Sequence, residues 1–519
     1  MATPHFLERV NDNLFVALRG GFAADLDAPA VETIDAQPLV YSWRDLDRGT
    51  AMLANLLDSL ELPANARIAV QTEKSVEALM LYLAVLRAGF VYLPLNSAYQ
   101  AGEIEYFIGD AEPSVVVCST KNFGWVSKIA FLAGTRQVFT LNDDRSGTLL
   151  DRAAFHDDRH APAKKRADDL AAILYTSGTT GRSKGAMLSH GNLLSSAVVL
   201  KDYWGWQDGD VLIHALPIFH VHGLFVAIHG ALLNGSKMLW FSKFDAKAVL
   251  AQFSRASLFM GVPTHYVRLL GEPGLEREAC SAMRLFISGS APLLPETFKE
   301  FRDRTGHAIV ERYGMSETLM LTSNPYHARD GERRGGTVGF ALPGVRVRVV
   351  PGAGGPIPAG EPGNLEVKGP NVFSGYWRMP DKTREEFTDD GWFRTGDVGS
   401  LDAQGRLTIV GRSKDLIISG GFNVYPAEIE GFLNESEGVL ESAVIGAPHP
   451  DFGEAVVAIV VPRTGATLQP DALIADLKAR IANYKVPKRL FLADNLPRNA
   501  MGKVQKNLLR EQHRGLFAR

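Results

Sequence analysis

Short apolar runs that alternate with helical segments constrain the fold of this chain most strongly. "ARIAVQ" (66–71), "SVVVCS" (114–119), "AAILY" (171–175) and "RLFIS" (284–288) each fit a buried strand. Patterns such as "SVEALMLYLAVLRAG" (75–89) lie between them, apolar at helical spacing and stopped by Gly89. This alternation predicts an α/β fold whose parallel sheets are covered on both faces. At 519 residues the chain exceeds one ordinary hydrophobic core, so more than one domain is expected.

The pattern changes after about residue 335. "GVRVRVV", "GNLEVKG" and "GRLTIVG" are short strands between glycine and proline turns, which predicts a small antiparallel β unit. Beyond "GRSKDLI" (411–417) the chain reads as a compact α+β module with helices near 426–434 and 471–483. The expected division is therefore an N-terminal domain (1–411), a boundary turn at 412–415 and a C-terminal domain (416–519).

Charge and composition exclude several classes. A formal charge of −3 gives no global attraction for nucleic acid or an anionic membrane, so any bound anion must be met locally. The N-terminus lacks a secretory signal and no 18-residue apolar run occurs, so a cytoplasmic protein without a membrane span is expected. Cys118 and Cys280 lie far apart in no CxxC or Cys/His cluster, which argues against a disulfide framework or a structural zinc site. A monomer or weak homo-oligomer is expected.

The densest chemical signal is "YTSGTTGRSKG" (175–185). Its glycines permit a tight turn with N–H groups pointing inward, and its hydroxyls add donors around the same point. Such a loop suits a polyphosphate, with Lys184 supplying charge. The P-loop spacing GxxxxGK[ST] fails here, because Ser183 or Ala186 stands where the second glycine is required. A plain polar turn is the competing reading.

This stretch closely resembles the phosphate-binding signature of the adenylate-forming superfamily, which includes acyl-CoA synthetases, peptide-synthetase adenylation domains and luciferases. "ERYGMSE" (311–317), "RTGDVG" (394–399), "GRSKDLI" (411–417), "GGFNVYPAEIE" (420–430) and "PRNAMGKVQK" (497–506) resemble the family's other motifs, in the family's order. The resemblance implies ATP, Mg²⁺ and coenzyme A as cofactor and substrates. It implies that Thr176, Ser177, Gly178, Thr179, Thr180 and Lys184 surround the ATP phosphates. Ser290, Ala291, Pro292, Glu311, Arg312, Tyr313, Gly314, Met315 and Ser316 would complete the nucleotide site, with Tyr313 against adenine. Ser316 replaces the threonine of many members but keeps its hydroxyl. Glu317 would hold Mg²⁺, Asp397 the ribose hydroxyls, and Arg412 would close the site. Lys503 is implied as the catalytic lysine, whereas Lys506 reads as solvated. Lys414 matches the hinge about which the small domain turns, bringing Gly420 and Gly421 to the thiol of coenzyme A.

The acid must be read locally. Pro263-Thr264 opens a helix after "SLFMG", and Arg268 sits about one turn inside it among apolar neighbours. Turned inward, its guanidinium would be costly without a second substrate carboxylate, which points to a short dicarboxylic acid. "GVPTHYVRLL", "MRLFISGSAPL" and "LPIFHVHGL" look like the malonyl-CoA synthetases in particular. That resemblance implies Arg268 and Ser288 on the distal carboxylate and His220 beside the reacting one. His220 and His222 alone make a poor metal site. Competing readings are a ligase for another short, fatty or aryl acid, or a nucleotide-binding regulator without turnover. The presence of Thr176, Glu317, Asp397 and Lys503 weighs against the last.

Overall fold

The computed structural model describes residues 11–176, 183–351, 357–419, 422–499 and 502–517. Two large sheets dominate it. In the six-stranded sheet, Gln137–Thr140, Val115–Cys118, Arg67–Gln71, Val91–Pro94 and Leu170–Thr176 run parallel, and Lys184–Ser189 closes one edge antiparallel to its neighbour. The nine-stranded sheet has a parallel centre of Val310–Met315, Leu285–Ser288, Leu258–Gly261, Val211–His214, Lys237–Trp240 and Pro29–Thr33. Antiparallel strands finish both of its edges.

One core joins these sheets: Ile68 and Leu174 of the first share a buried cluster with Met238 and Ile287 of the second. Helix Val76–Arg87 is buried along its whole length, which explains why its sequence is almost continuously apolar. Its Tyr82 hydroxyl hydrogen-bonds His229 Nε2 at 2.8 Å. Ser75 caps its first turn, and Gly89 follows its end at a φ of +78°, where glycine avoids the strain of a side chain.

Arg346–Val350, Gly363–Lys368, Phe393–Leu401 and Leu407–Arg412 form the expected small antiparallel sheet. The last sheet contains Val439–His449 and Gly453–Pro462 and is covered on two faces. Helices Pro426–Asn434 and Pro470–Arg480 pack on one face through Ile429, Leu433, Leu473 and Leu477. Helix Lys506–Gln512 packs on the other through Leu509.

Two boundaries differ from the sequence reading. The helix expected to reach 483 ends at Arg480, because Ile481 is extended. The apolar strand pattern "HAIVE" gives out at Tyr313-Gly314, yet the strand continues to Met315. It does so because Leu319–Ser323 turns back and pairs with it, with a register shift at Tyr313/Gly314.

Candidate active site

The described ends of the stretch 175–185 lie in the two antiparallel strands at one edge of the six-stranded sheet. Thr176 pairs with Lys184 and Tyr175 with Gly185. Ser177, Gly178, Thr179 and Thr180 lie outside the described residues. The Thr176 hydroxyl donates to the Lys184 carbonyl at 3.4 Å. Lys184 Nζ lies 4.1 Å from the centre of the Tyr376 ring and 3.3 Å from Glu386 Oε1. The Tyr376 hydroxyl in turn donates to Glu317 Oε1 at 3.1 Å. Burial raises the Glu317 pKa, opposed by this hydrogen bond and by the charges of Lys184 and Arg412. Tyr376 is a site residue that the sequence reading missed, since an aromatic in "SGYWRMP" carries no motif of its own.

A second cluster forms where the small antiparallel sheet meets the large one. Asp397 is buried, accepts from the Tyr313 hydroxyl at 2.5 Å and pairs with Arg412 Nε at 2.9 Å. Lys503 reaches this cluster from the C-terminal part of the chain. It keeps exposed surface, yet partial loss of solvent lowers its pKa. Arg412 lowers it further, while Asp397 and Glu317 oppose the shift. The loop carrying it is braced by Lys503 N–H on Asn499 Oδ1 at 3.0 Å and Gly502 N–H on Asn499 O at 2.9 Å.

The third group surrounds the ends of parallel strands Leu258–Gly261 and Leu285–Ser288, in register with Gly261 beside Ser288. Ser288 is fully buried and its hydroxyl has no partner among the described residues. Arg312 is 3% exposed, and its Nε and Nη2 are also unpartnered. A Cβ on Gly289 would lie 2.4 Å from Arg312 Cζ, so only glycine lets this guanidinium pack there. Burial pushes the Arg312 pKa down to about 9. His220 is driven to about 3, first by burial and then by Lys503 and Arg312, so its imidazole is neutral. Ser290, at a φ of +72°, brings Oγ within 3.4 Å of His222 Nδ1. His222–Ile228 is a π-helical segment, a distortion common at functional sites. Beside these strands Glu311 Oε1 accepts the Leu293 N–H at 3.0 Å, and burial raises its pKa to about 8. Ala291 is half-buried, Pro292 exposed, and Gly314, Met315 and Ser316 are half-buried.

Arg268 departs from expectation. Helix Pro263–Leu270 buries Tyr266 and Leu269, while Val267 and Arg268 fall on its exposed face. Arg268 is therefore not a desolvated cation in this structure, whereas Arg312 is buried with no acid in ion-pair reach among the described residues. Lys506 also differs: it is half-buried and pairs with Glu430 at 2.6 Å. Lys414 is exposed on the turn Ser413–Asp415, whose Ser413 hydroxyl donates to Gly396 O at 2.6 Å. Gly420 and Gly421 lie outside the described residues. No helix among the described residues is long and apolar enough to cross a membrane, and none of them form a group of three or more metal-ligating side chains.

Residues 23–377 match the AMP-binding enzyme family, and residues 428–503 match the AMP-binding enzyme C-terminal domain. A malonate–CoA ligase of Arabidopsis thaliana is 34% identical over 480 residues, covering 86% of this chain and 78% of its own length. A feruloyl-CoA synthase of an Amycolatopsis species is 35% identical over 475 residues, covering 91% and 94%. The crystal structure of ATP-bound MatB from Rhodopseudomonas palustris is 52% identical and superposes with a TM-score of 0.94, covering 98% of this chain and 100% of that one. The chain belongs to the AMP-binding enzyme family.

Proposed function

We propose that this enzyme is an ATP-dependent malonate–CoA ligase that works through an acyl-adenylate. The observation that carries the choice of acid is a buried Arg312 whose Nε and Nη2 have no partner among the described residues; the Ser288 hydroxyl, on the neighbouring strand, has none among them either. Burying a cation without an anion is costly, and a monocarboxylate would leave it so. A second carboxylate on the substrate supplies the partner, accepting from the two guanidinium nitrogens. The likeness to malonate–CoA ligases from a plant and from mouse mitochondria supports the same acid.

In this reading the proximal carboxylate attacks the α-phosphate of ATP, forming acyl-AMP and breaking the bond to pyrophosphate. The thiol of coenzyme A then displaces AMP, giving the thioester. Lys503 supplies positive charge where the α-phosphate oxygens gain negative charge. Partial loss of solvent, and then the charge of Arg412, lowers its pKa while part of its surface stays exposed. Neutral His220 stands beside the carboxylate without adding charge. Asp397 holds the ribose, exchanging its present partners Tyr313 and Arg412 for hydroxyls. Thr176 and Lys184, with Ser177 to Thr180 between them, take the β- and γ-phosphates. Glu317 would hold Mg²⁺, which would neutralise phosphate charge. Its single buried carboxylate fits an ion that draws its remaining ligands from phosphates and water. The turn 412–415 acts as the hinge between domains 1–411 and 416–519, with Gly420 and Gly421 approaching the thiol arm.

The test is coenzyme A-dependent AMP formation with malonate, methylmalonate, succinate, acetate, octanoate and benzoate. Malonate should lead. Methylmalonate should follow closely, since one methyl group changes binding by only about 1–3 kcal/mol. A leading monocarboxylate would overturn the choice of acid and leave the adenylating chemistry standing.

A further inference from the structure

We infer that helix Ala101–Ala111 positions the phosphate-contacting residues Thr176 and Lys184 through two side chains, Tyr106 and Asp110. Residues four apart on a helix share one face. Here that face meets both stems of the hairpin. The Tyr106 hydroxyl donates to Ser183 O at 2.7 Å, on the residue before Lys184. Asp110 Oδ2 accepts the Tyr175 hydroxyl at 2.5 Å, on the residue before Thr176. The chain is thus held where it leaves the sheet and where it returns.

The helix is itself fixed. Ile104, Phe107, Ile108 and Ala111 are buried in a core shared with Ile173 of the same hairpin. The Phe107 ring lies 4.6 Å from that of Tyr175. From the far side, Trp377 Nε1 donates to the Asp110 carbonyl at 3.1 Å, while Trp377 N–H donates to Gly185 O at 2.7 Å. Nothing in the proposed chemistry uses the Tyr106 or Tyr175 hydroxyl. Each instead ends on the backbone or side chain that sets where Thr176 and Lys184 stand.

The inference rests on reading Thr176 and Lys184 as phosphate contacts, so the experiment separates the two. Malonate-dependent ATP–pyrophosphate exchange is measured in the full-length enzyme and in Tyr106→Phe, Tyr175→Phe, Lys184→Ala and the Tyr106→Phe/Lys184→Ala double variant, with urea midpoints for each. Either phenylalanine variant should raise the KM for ATP roughly two- to tenfold, the equivalent of one hydrogen bond, and leave the KM for malonate unchanged. The Tyr106→Phe effect should vanish in the Lys184→Ala background. Equal shifts in both KM values, or a lowered urea midpoint with an unchanged KM for ATP, would reduce the helix to a purely structural part and overturn the inference. If Lys184→Ala itself leaves the KM for ATP unchanged, the phosphate reading fails. If that variant is impaired and Tyr106→Phe is not, only the positioning role fails.

Discussion

At the scale of single residues, the site is governed by which charges are buried and what faces them. Lys503 brings a cation to Asp397, Glu317 and Arg412 from a loop far along the chain. Lys503→Ala should abolish malonate-dependent pyrophosphate exchange while ATP binding, followed by calorimetry, stays within a fewfold of wild type. Glu311 makes a separate prediction from its raised pKa. A carboxyl raised from 4.5 to about 8 on folding contributes stability that is full below 4.5 and lost as pH rises through about 8. Urea midpoints should therefore fall between about pH 5 and about pH 8.5 in wild type, and fall less in Glu311→Gln. Lys503, Asp397 and Glu317 were legible in the sequence because each sits in a motif with its own spacing. The sequence reading placed Arg268 on the distal carboxylate and Arg312 in the nucleotide site, and the neighbours of neither reveal which guanidinium packs inside. Only the packing of Gly289 against Arg312 separates the buried guanidinium from the exposed one.

At the scale of elements, irregular backbone does much of the placing. The π-helical segment His222–Ile228 begins two residues after His220, and its Gly223 is pressed against Pro217: a Cβ there would lie 2.0 Å from the Pro217 carbonyl oxygen. Backbone cannot yield as a flexible side chain would. Gly223→Ala should cost about 1–3 kcal/mol in urea unfolding and reduce pyrophosphate exchange by displacing His220 and His222. Normal stability and exchange in this variant would show that the segment relaxes freely. Strands and helices of the large sheets were legible from periodicity, because buried parallel strands and a fully buried helix leave unbroken apolar runs. The π-helix was not, since its composition is that of an ordinary buried helix. The continuation of Val310–Met315 past Tyr313-Gly314 was missed because a neighbouring strand, absent from any local pattern, sustains it.

At the scale of the whole molecule, the C-terminal part delivers Lys503 to the large sheets, in an arrangement suited to adenylation. Gly502 lies close to helix Pro263–Leu270: a Cβ there would stand 3.7 Å from Thr264 Oγ1. A Thr264→Cys/Gly502→Cys pair should close a disulfide under mild oxidant, against the strain that a side chain meets at the Gly502 φ of +73°. The native thiols should not interfere: Cys118 and Cys280 are buried, and burial raises their pKa values to about 12 and about 11. The oxidised enzyme should retain pyrophosphate exchange and lose thioester formation, with both restored by reductant. Undiminished thioester formation in the cross-linked enzyme would remove the need for domain movement. The α/β architecture with an antiparallel unit and an α+β C-terminal module was legible from the order of strand and helix patterns. The way these parts meet was not, because no local pattern encodes the approach of Lys503 to Asp397.

The most direct test of the central claim is the ratio of kcat/KM for malonate to that for acetate, measured in wild type, Arg312→Met and Arg268→Ala. The account predicts that Arg312→Met lowers the ratio roughly 30-fold or more, the loss expected when one partner of a buried, hydrogen-bonded charge pair is removed, and that Arg268→Ala changes it little. An unchanged ratio in Arg312→Met, or a collapse in Arg268→Ala alone, would contradict it.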